Sequence, residues 1–196
     1  MRYEIIRGED DKYAIFDENR RMITLDWYDS VSSDGLIRGQ SIYYIARKDG
    51  KEAIFDVYGH QISEWFDRIN PNGLISGKSD YYIAKKNGKQ AIFDISGKRI
   101  TKWFNRVFSY GLVRGESDYF IACKGSKCAV YYKDGKRVSD DIPSKHIKGG
   151  IYRATFNENI GIVEIKMFGC KPITIEFSPI YPFKEEIIDY TKLLNI

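Results

Sequence analysis

Six lysines stand in pairs at a regular spacing and could bind an anionic partner. Each pair flanks a short turn: Lys48 and Lys51, Lys86 and Lys89, and Lys124 and Lys127. If the turns stack, the six ammonium groups line one edge, where phosphates or an acidic protein could contact them. Charged residues at strand tips also protect sheet edges from aggregation. The sequence favours this second role.

Three tryptophans, Trp27, Trp65 and Trp103, recur at almost the same interval as the lysines. A row of exposed indoles could stack sugars or bases. The alternative is that each indole fills the core space above a pair of alanines. We favour the core role, and side-chain exposure decides between the two.

Acidic residues form two repeated series that could bind calcium or act as acid and base. The series are Asp17, Asp56 and Asp94, and Asp29 and Asp67 followed by Asn105. Such chemistry needs several oxygens that converge on one point. Capping of turns explains the first series, and a structural role is expected for the second. No metal site and no cofactor are predicted.

The cysteines have no C-x-x-C spacing, but two of them lie on either side of a turn. Cys123 is directly opposite Cys128 across Gly125 and Ser126, close enough for a disulfide. Free thiols are favoured, because the cytosol keeps thiols reduced; a redox pair is the alternative. The two histidines, His60 and His146, pair with no nucleophile, and no nucleotide-binding or hydrolase motif is present.

An internal repeat must position all these side chains. The alanines of four related segments, Ala14, Ala53, Ala91 and Ala129, are 39, 38 and 38 residues apart. A fixed period in this range is typical of repeat arrays and propellers. The predicted copies are about 3–40, 41–78, 79–116, 117–150 and a degenerate 151–165, followed by 166–196. We expect one structural domain overall.

Each copy is predicted to open with a β-hairpin. Asn87 and Gly88 favour the positive φ angles of a type I′ turn, which sets the pairing of the two strands. The opposed pairs are Ala84 with Ala91, Tyr82 with Phe93, and Ile83 with Ile92. Both faces are therefore apolar and must be covered by neighbouring copies. Two further strands per copy are expected, Arg99 to Trp103 and Gly111 to Arg114 in the third.

The sequence thus predicts an all-β protein made of tandem β-hairpin repeats of about 38 residues, stacked as a solenoid-like array. A five-bladed β-propeller is the alternative. The array is expected to end in a hairpin from Ile160 to Phe177 and a capping helix that begins at Pro182. Phe183, Ile187, Tyr190 and Leu194 fall on one face of that helix.

The repeat resembles the WG-repeat (KWG-repeat) family of bacterial proteins up to about residue 165. The family unit is similar to Gly88–Asp94 followed by Gly97-Lys98, Phe104-Asn105 and Gly111-Leu112-Val113. The Trp-Gly pair that names the family is replaced, for example by Gln90-Ala91, so the chain is similar to a divergent member. The resemblance implies a β-rich repeat scaffold and no catalytic residues.

Composition sets further bounds. The 196 residues are 43% hydrophobic and 30% charged, with a net charge of +4, which does not imply a nucleic-acid protein. No apolar run is long enough to cross a membrane and no signal peptide is evident, so we expect a cytoplasmic protein.

The expected function is a non-enzymatic scaffold for a macromolecular partner, most simply a protein. The alternative is a module that binds carbohydrate or nucleic acid.

Overall fold

A computed structural model describes residues 2–143 and 151–180 of the chain, where the regular secondary structure consists almost entirely of short β-strands. The strands are β1 Tyr3–Arg7, β2 Tyr13–Asp17, β3 Ser30–Ser32, β4 Tyr43–Lys48, β5 Lys51–Asp56, β6 Arg68–Ile69, β7 Tyr81–Lys86, β8 Lys89–Asp94, β9 Arg106–Phe108, β10 Tyr119–Lys124, β11 Lys127–Tyr132, β12 Ile142–Pro143, β13 Ile151–Asn157, β14 Ile162–Met167 and β15 Ile173–Glu176. One helical turn, α1, spans Asp34–Ile37, and a 3₁₀ turn spans Leu112–Arg114. The predicted all-β repeat fold is confirmed.

The strands form five antiparallel sheets, one for each copy. Their strand orders are β1-β2, β3-β4-β5, β6-β7-β8, β12-β11-β10-β9 and β13-β14-β15. In the second, third and fourth sheets the strand before the hairpin belongs to the preceding copy: β3, β6 and β9 pair with β4, β7 and β10. Backbone hydrogen bonds therefore join successive copies.

The hairpin register follows the prediction. Ala84 pairs with Ala91, Tyr82 with Phe93 and Ile83 with Ile92, and the same register recurs in the second and fourth sheets. The turn at Asn87 and Gly88 has φ angles of 51° and 74°. Positive φ at both positions is what a type I′ turn requires.

The expected strands around Arg99 to Trp103 and Gly111 to Arg114 are wrong. The first region forms only isolated bridges, Arg99 with Phe93 and Phe104 with Gln90. In the second, the 3₁₀ turn follows Gly111, whose φ of 78° interrupts extended backbone. The corresponding segment of the first copy is α1. In the second, third and fourth sheets, a strand comes instead from the residues that follow the aromatic pair of the preceding copy.

The hairpins of the second, third and fourth sheets bury both of their faces against the neighbouring sheets. The second and third sheets share a core cluster with the members Ile45, Ile54, Phe66, Ile69, Leu74, Ile75, Tyr82, Ala84, Ala91 and Phe93. The isoleucines of one sheet thus meet the tyrosine, alanines and phenylalanine of the next. Equivalent clusters join the first sheet to the second, the third to the fourth and the fourth to the fifth. Burial of apolar area between copies is the main stabilising term.

The packing links neighbours in sequence. Among residues 2–143 and 151–180, none of the four core clusters joins the first sheet to the fifth, as a closed propeller would require. The C-terminal hairpin is confirmed, since β14 pairs with β15 between Ile162 and Glu176. The predicted helix from Pro182 lies outside the described residues.

Two buried tyrosine side chains are expected to make the fold less stable at alkaline pH. The hydroxyls of Tyr44 and Tyr82 are buried and have no hydrogen-bond partner among the described residues, and burial raises the pKa of both groups. Their contribution is complete below the unfolded pKa of about 10 and is lost as the pH rises through the folded pKa. We expect unfolding free energy to fall above about pH 10, and the loss to be smaller in a Tyr44→Phe/Tyr82→Phe variant.

Urea unfolding at pH 7 and at pH 11 measures this difference. At pH 7 the double variant is expected to be as stable as the wild type or slightly more stable, because no hydrogen bond is lost and Phe120 already occupies the equivalent place in the fourth copy, fully buried. A loss of more than about 1 kcal/mol per site at pH 7 would show that the hydroxyls are bonded after all.

Candidate interaction surface

The hairpin tips do not present a row of six free lysines. Ion pairs hold four of them: Lys48 with Asp26 (2.6 Å), Lys51 with Asp67 (2.6 Å), Lys86 with Glu64 (2.6 Å) and Lys127 with Asp141 (2.7 Å). Lys89 and Lys124 have no ion pair within residues 2–143 and 151–180. The tips are thus largely neutralised, which agrees with the structural role that the sequence favoured.

The second acidic series fastens each tip to the copy before it. Asp67 accepts a hydrogen bond from the backbone N–H of Asn87 (2.7 Å), and Asn105 accepts one from Gly125 (2.8 Å). The bond from Lys51 holds the pKa of the Asp67 carboxyl below its usual value. These side chains are structural, as expected.

The first acidic series caps turns. One carboxylate oxygen of Asp56 accepts the backbone N–H groups of Tyr58 and His60, each at 2.9 Å. Asp17 and Asp94 make the same pair of bonds in their own turns. The prediction of turn capping is confirmed.

The three tryptophans are half-buried. Each packs against the phenylalanine of its own hairpin, with ring centroids 6.0 Å apart: Trp27 on Phe16, Trp65 on Phe55 and Trp103 on Phe93. The interplanar angles are 54°, 64° and 66°, so the contacts are tilted or edge-on. The indoles therefore form neither an open stacking platform nor the centre of the core.

The sequence predicts that each tryptophan fills the space above the paired alanines. In the structure, the aromatic residue that follows each tryptophan fills it. Phe66 is fully buried in one cluster with Ala84 and Ala91. Tyr28 and Phe104 lie in the corresponding clusters of the neighbouring interfaces. The reason is a backbone bridge: Phe66 and Glu52 exchange two hydrogen bonds of 2.8 Å, which fixes the side that the ring faces.

Cys123 and Cys128 are opposed in register, as predicted, but they form a disulfide instead of two free thiols. Their residues are 6% and 2% exposed, and they belong to the cluster between the fourth and fifth sheets. The directly opposed register brings the two residues together, with their Cα atoms 3.9 Å apart. Cys170 is free and exposed.

Reduction of this disulfide is expected to lower the unfolding free energy by about 2 kcal/mol, since a short closed loop is released in the unfolded chain. The measurement is chemical unfolding of a Cys170→Ser variant with and without a phosphine reductant. A Cys123→Ala/Cys128→Ala variant in the same background is the control and should not respond to the reductant. Two titratable thiols in the Cys170→Ser protein before reduction would contradict the disulfide.

The structure brings together three cations that the sequence analysis did not single out. We call Arg47, Arg68 and Lys85 the basic strip. Arg68 lies directly opposite Lys85 in the pairing of β6 with β7. Arg47 occupies the same hairpin position in the second sheet as Lys85 in the third. All three side chains are exposed and form no ion pair within the part of the chain that the structure describes.

The opposition of Arg68 and Lys85 is unfavourable in the absence of an anion, because like charges at directly paired positions repel each other. Four other like-charged pairs are opposed in the described sheets: Lys48 with Lys51, Lys86 with Lys89, Lys124 with Lys127 and Arg153 with Lys166. In each of those pairs at least one member has an acidic partner within 4.0 Å. Arg68 and Lys85 are the exception among the described residues.

Two clefts open along the basic strip, and Arg68 and Pro71 line both. The first, of 140 Å³, lies between the second and third sheets beside Arg47, Ile45 and Glu52. The second, of 390 Å³, is lined by Lys85, Asn70, Asn72, Ile83 and Gln90. The two clefts repeat one another, because Ile45 and Ile83 are equivalent residues, as are Glu52 and Gln90.

Glu52 and Gln90 are already engaged. A carboxylate oxygen of Glu52 accepts the backbone N–H of Ile69 at 2.6 Å, and the amide oxygen of Gln90 accepts that of Val107 at 2.7 Å. These bonds clamp one sheet to the next. Glu52 is directly opposite Arg47 in the hairpin register, so it offsets part of the charge of Arg47, whereas Gln90, directly opposite Lys85, brings no charge. In the fourth copy the disulfide stands at the same place.

The alignment of the copies contained a signal for this strip. Arg47 and Lys85 are 38 residues apart, as are Arg68 and Arg106. The juxtaposition of Arg68 with Lys85 could not be read from the sequence, because it depends on pairing between copies. Arg106 differs from Arg68 in that its guanidinium lies 5.0 Å from the centre of the Phe108 ring.

Other chemistry finds little support in the described ranges. Residues 2–143 and 151–180 contain no cluster of three or more His, Cys, Asp or Glu side chains arranged for a metal ion. Over the same ranges, no helix has the length and apolar character needed to cross a bilayer. The Nδ1–H of His60 donates to the carboxylate of Asp56, 2.9 Å away. His146 lies outside the described residues.

Comparison with known proteins yields only weak structural likenesses. No protein-family model matches the chain, and no curated protein matches it. Among solved structures, a HIRA fragment is 9% identical over 90% of this chain and 55% of its own, with a TM-score of 0.36. Hsv2 of Kluyveromyces lactis is 13% identical over 69% of this chain and 46% of its own, with a TM-score of 0.34. The chain spans about half the length of these structures.

Proposed function

We propose that this protein is a non-enzymatic scaffold that binds another protein through the basic strip. The observation that carries the proposal is the uncompensated pair of Arg68 and Lys85, which stands beside two open clefts. Charge repulsion that weakens a fold is commonly retained where it serves function. An acidic surface on a partner would remove that repulsion.

The other repeated polar groups support a scaffold over an enzyme. The acidic series cap turns and fasten tips, and most tip lysines are ion-paired. Side chains with these duties stabilise a rigid stack and are not free for acid–base chemistry. The alternative from the sequence was binding of carbohydrate or nucleic acid by the tryptophan row and the lysine row. The structure favours neither row as a binding site, because the indoles are half-buried and four of the six lysines are ion-paired.

Affinity capture from the source cell with matched variants tests the proposal. The strip variant carries Arg68→Glu and Lys85→Glu; the control variant carries Lys89→Glu and Lys124→Glu, which make the same change in net charge at exposed tips without ion pairs. We expect a protein captured by the wild type and by the control, but not by the strip variant. Capture that is equal for all three, or that yields no protein, contradicts the proposal.

The family and the compartment also remain proposals. We propose a divergent WG-repeat protein on the strength of the repeated segments, such as Gln90–Asp94 with its turn at Gly97. A cytoplasmic location is proposed as well. In that compartment Cys123 and Cys128 are expected to be reduced, because cytosolic thiols are generally kept reduced. Thiol trapping in intact cells measures the state of Cys123 and Cys128 there.

A further inference from the structure

We infer that the basic strip binds an extended acidic peptide, whose carboxylates enter the two clefts that share Arg68. This inference rests on the proposed function and makes the partner more specific: a flexible segment of a protein instead of a folded acidic surface. Three features of the described residues carry it, namely charge, spacing and the chemistry of the cleft walls.

The charge of the basic strip matches a ligand that carries a few carboxylates. Arg47, Arg68 and Lys85 supply three positive charges, and Glu52 lies among them as the one acid that lines either cleft. Asp67 also acts on Lys85 electrostatically, but Lys51 and the tip N–H of Asn87 already bind its carboxylate. Asp29 acts on Arg47 in the same way and is already bound by Lys12 and the N–H of Asp49. A ligand with two or three separated negative charges is therefore complemented, and guanidinium groups bind carboxylates in a two-pronged geometry.

The spacing of the strip suits an extended chain. Arg47 and Lys85 are equivalent residues of adjacent sheets that pack face to face, a separation of about 10 Å between sheets. An extended peptide in the polyproline II conformation has three residues per turn and rises about 3.1 Å per residue, so side chains three residues apart lie on the same side, about 9 Å from each other. Acidic residues at every third position would thus reach both clefts, with Arg68 between them.

The cleft walls offer partners for the rest of a peptide. Ile45 and Ile83 are buried residues that line the clefts, and Pro71 lines both, which suits small apolar side chains between the acids. The amides of Asn70 and Asn72 can bond to peptide N–H and C=O groups. The exposed aromatic residues Tyr58, Tyr152 and Phe168 line neither cleft, and a single strand of nucleic acid relies on such rings for base stacking.

Fluorescence anisotropy tests the inference. The probe is a fluorescein-labelled peptide of nine residues, with glutamate at every third position and serine and valine between; its control has glutamine in place of glutamate. A labelled RNA nonamer is the competing ligand. The proteins are the wild type, the Arg68→Glu/Lys85→Glu variant and the Lys89→Glu/Lys124→Glu control.

We expect the glutamate peptide to bind the wild type and the tip control alike, and the strip variant at least tenfold more weakly. A peptide with lysine in place of glutamate should regain binding to the strip variant, because both charges have been exchanged. Thermal unfolding of each variant confirms that the fold is intact, and Arg68→Gln serves as a neutral substitution at the same site.

Four results would overturn the inference. The first is a dissociation constant of the glutamate peptide weaker than about 1 mM, and the second is equal weakening in both reversal variants. The third is equal binding of the glutamine peptide, and the fourth is tighter binding of the RNA. Failure of the peptide does not decide the proposed function. If a protein is still captured through the strip, the scaffold stands and its partner presents a folded acidic surface.

Discussion

We expect Gly77→Ala and Gly115→Ala to lower the unfolding free energy by about 3 kcal/mol or more in addition to the cost of a left-handed φ angle. In Gly39→Ala, we expect the loss to equal the cost of the φ angle alone. The three glycines are equivalent residues of the first three copies, 38 residues apart, and all have a φ of 69°. A left-handed φ costs an L-residue about 1–2 kcal/mol. The three substitutions therefore share one backbone penalty and differ in their neighbours.

The difference comes from how closely the copies stack. A Cβ atom on Gly77 would lie 1.9 Å from the backbone oxygen of Gln40 in the preceding copy, and one on Gly115 would lie 2.1 Å from that of Lys78. A Cβ atom on Gly39 would meet nothing within 4 Å. Because the obstructing atoms are backbone, the sheets themselves would have to separate.

Urea unfolding of the three variants beside the wild type measures the effect. The order of stability is expected to be wild type, then Gly39→Ala, then the other two at a clear distance. Equal losses in all three would mean that the copies do not approach each other at these positions, and the stacked arrangement would have to be abandoned.

The hairpins could be predicted from the sequence because their register is set locally. A two-residue turn such as Asn87-Gly88 fixes every pair in the strands that it joins, so the opposition of Cys123 and Cys128 was also predictable. Their oxidation was not, since register brings thiols together without deciding their redox state. The turn-capping role of Asp56 was predictable for the same local reason.

Contacts between copies could not be predicted in the same way. The strand at Arg68 pairs with the hairpin of the next copy, and no turn residue specifies that pairing. The basic strip depends on it, and so was missed. The helical turn after Gly111 was missed because its short apolar run suits a strand equally well by pattern.

The choice between the two adjacent aromatic residues was the other error, and it leads to the second prediction. Phe66→Ala is expected to cost about 3–5 kcal/mol, the range for a fully buried ring, and Trp65→Ala about half as much. Phe66 lies 5.0 Å from the Phe93 ring, centroid to centroid, within the cluster between two sheets. Trp65 is larger, but it is half-buried and packs edge-on against its own hairpin.

Chemical unfolding of Phe66→Ala, Phe66→Leu and Trp65→Ala measures the ranking. The leucine variant is the matched control, since it keeps most of the buried volume and should recover much of the loss. A second readout comes from Trp103, whose indole is 6.5 Å from the Phe66 ring: its fluorescence should change in Phe66→Ala. If Trp65→Ala costs more than Phe66→Ala, the indole is the core residue after all, and the interface between copies is built around the position that the sequence first favoured.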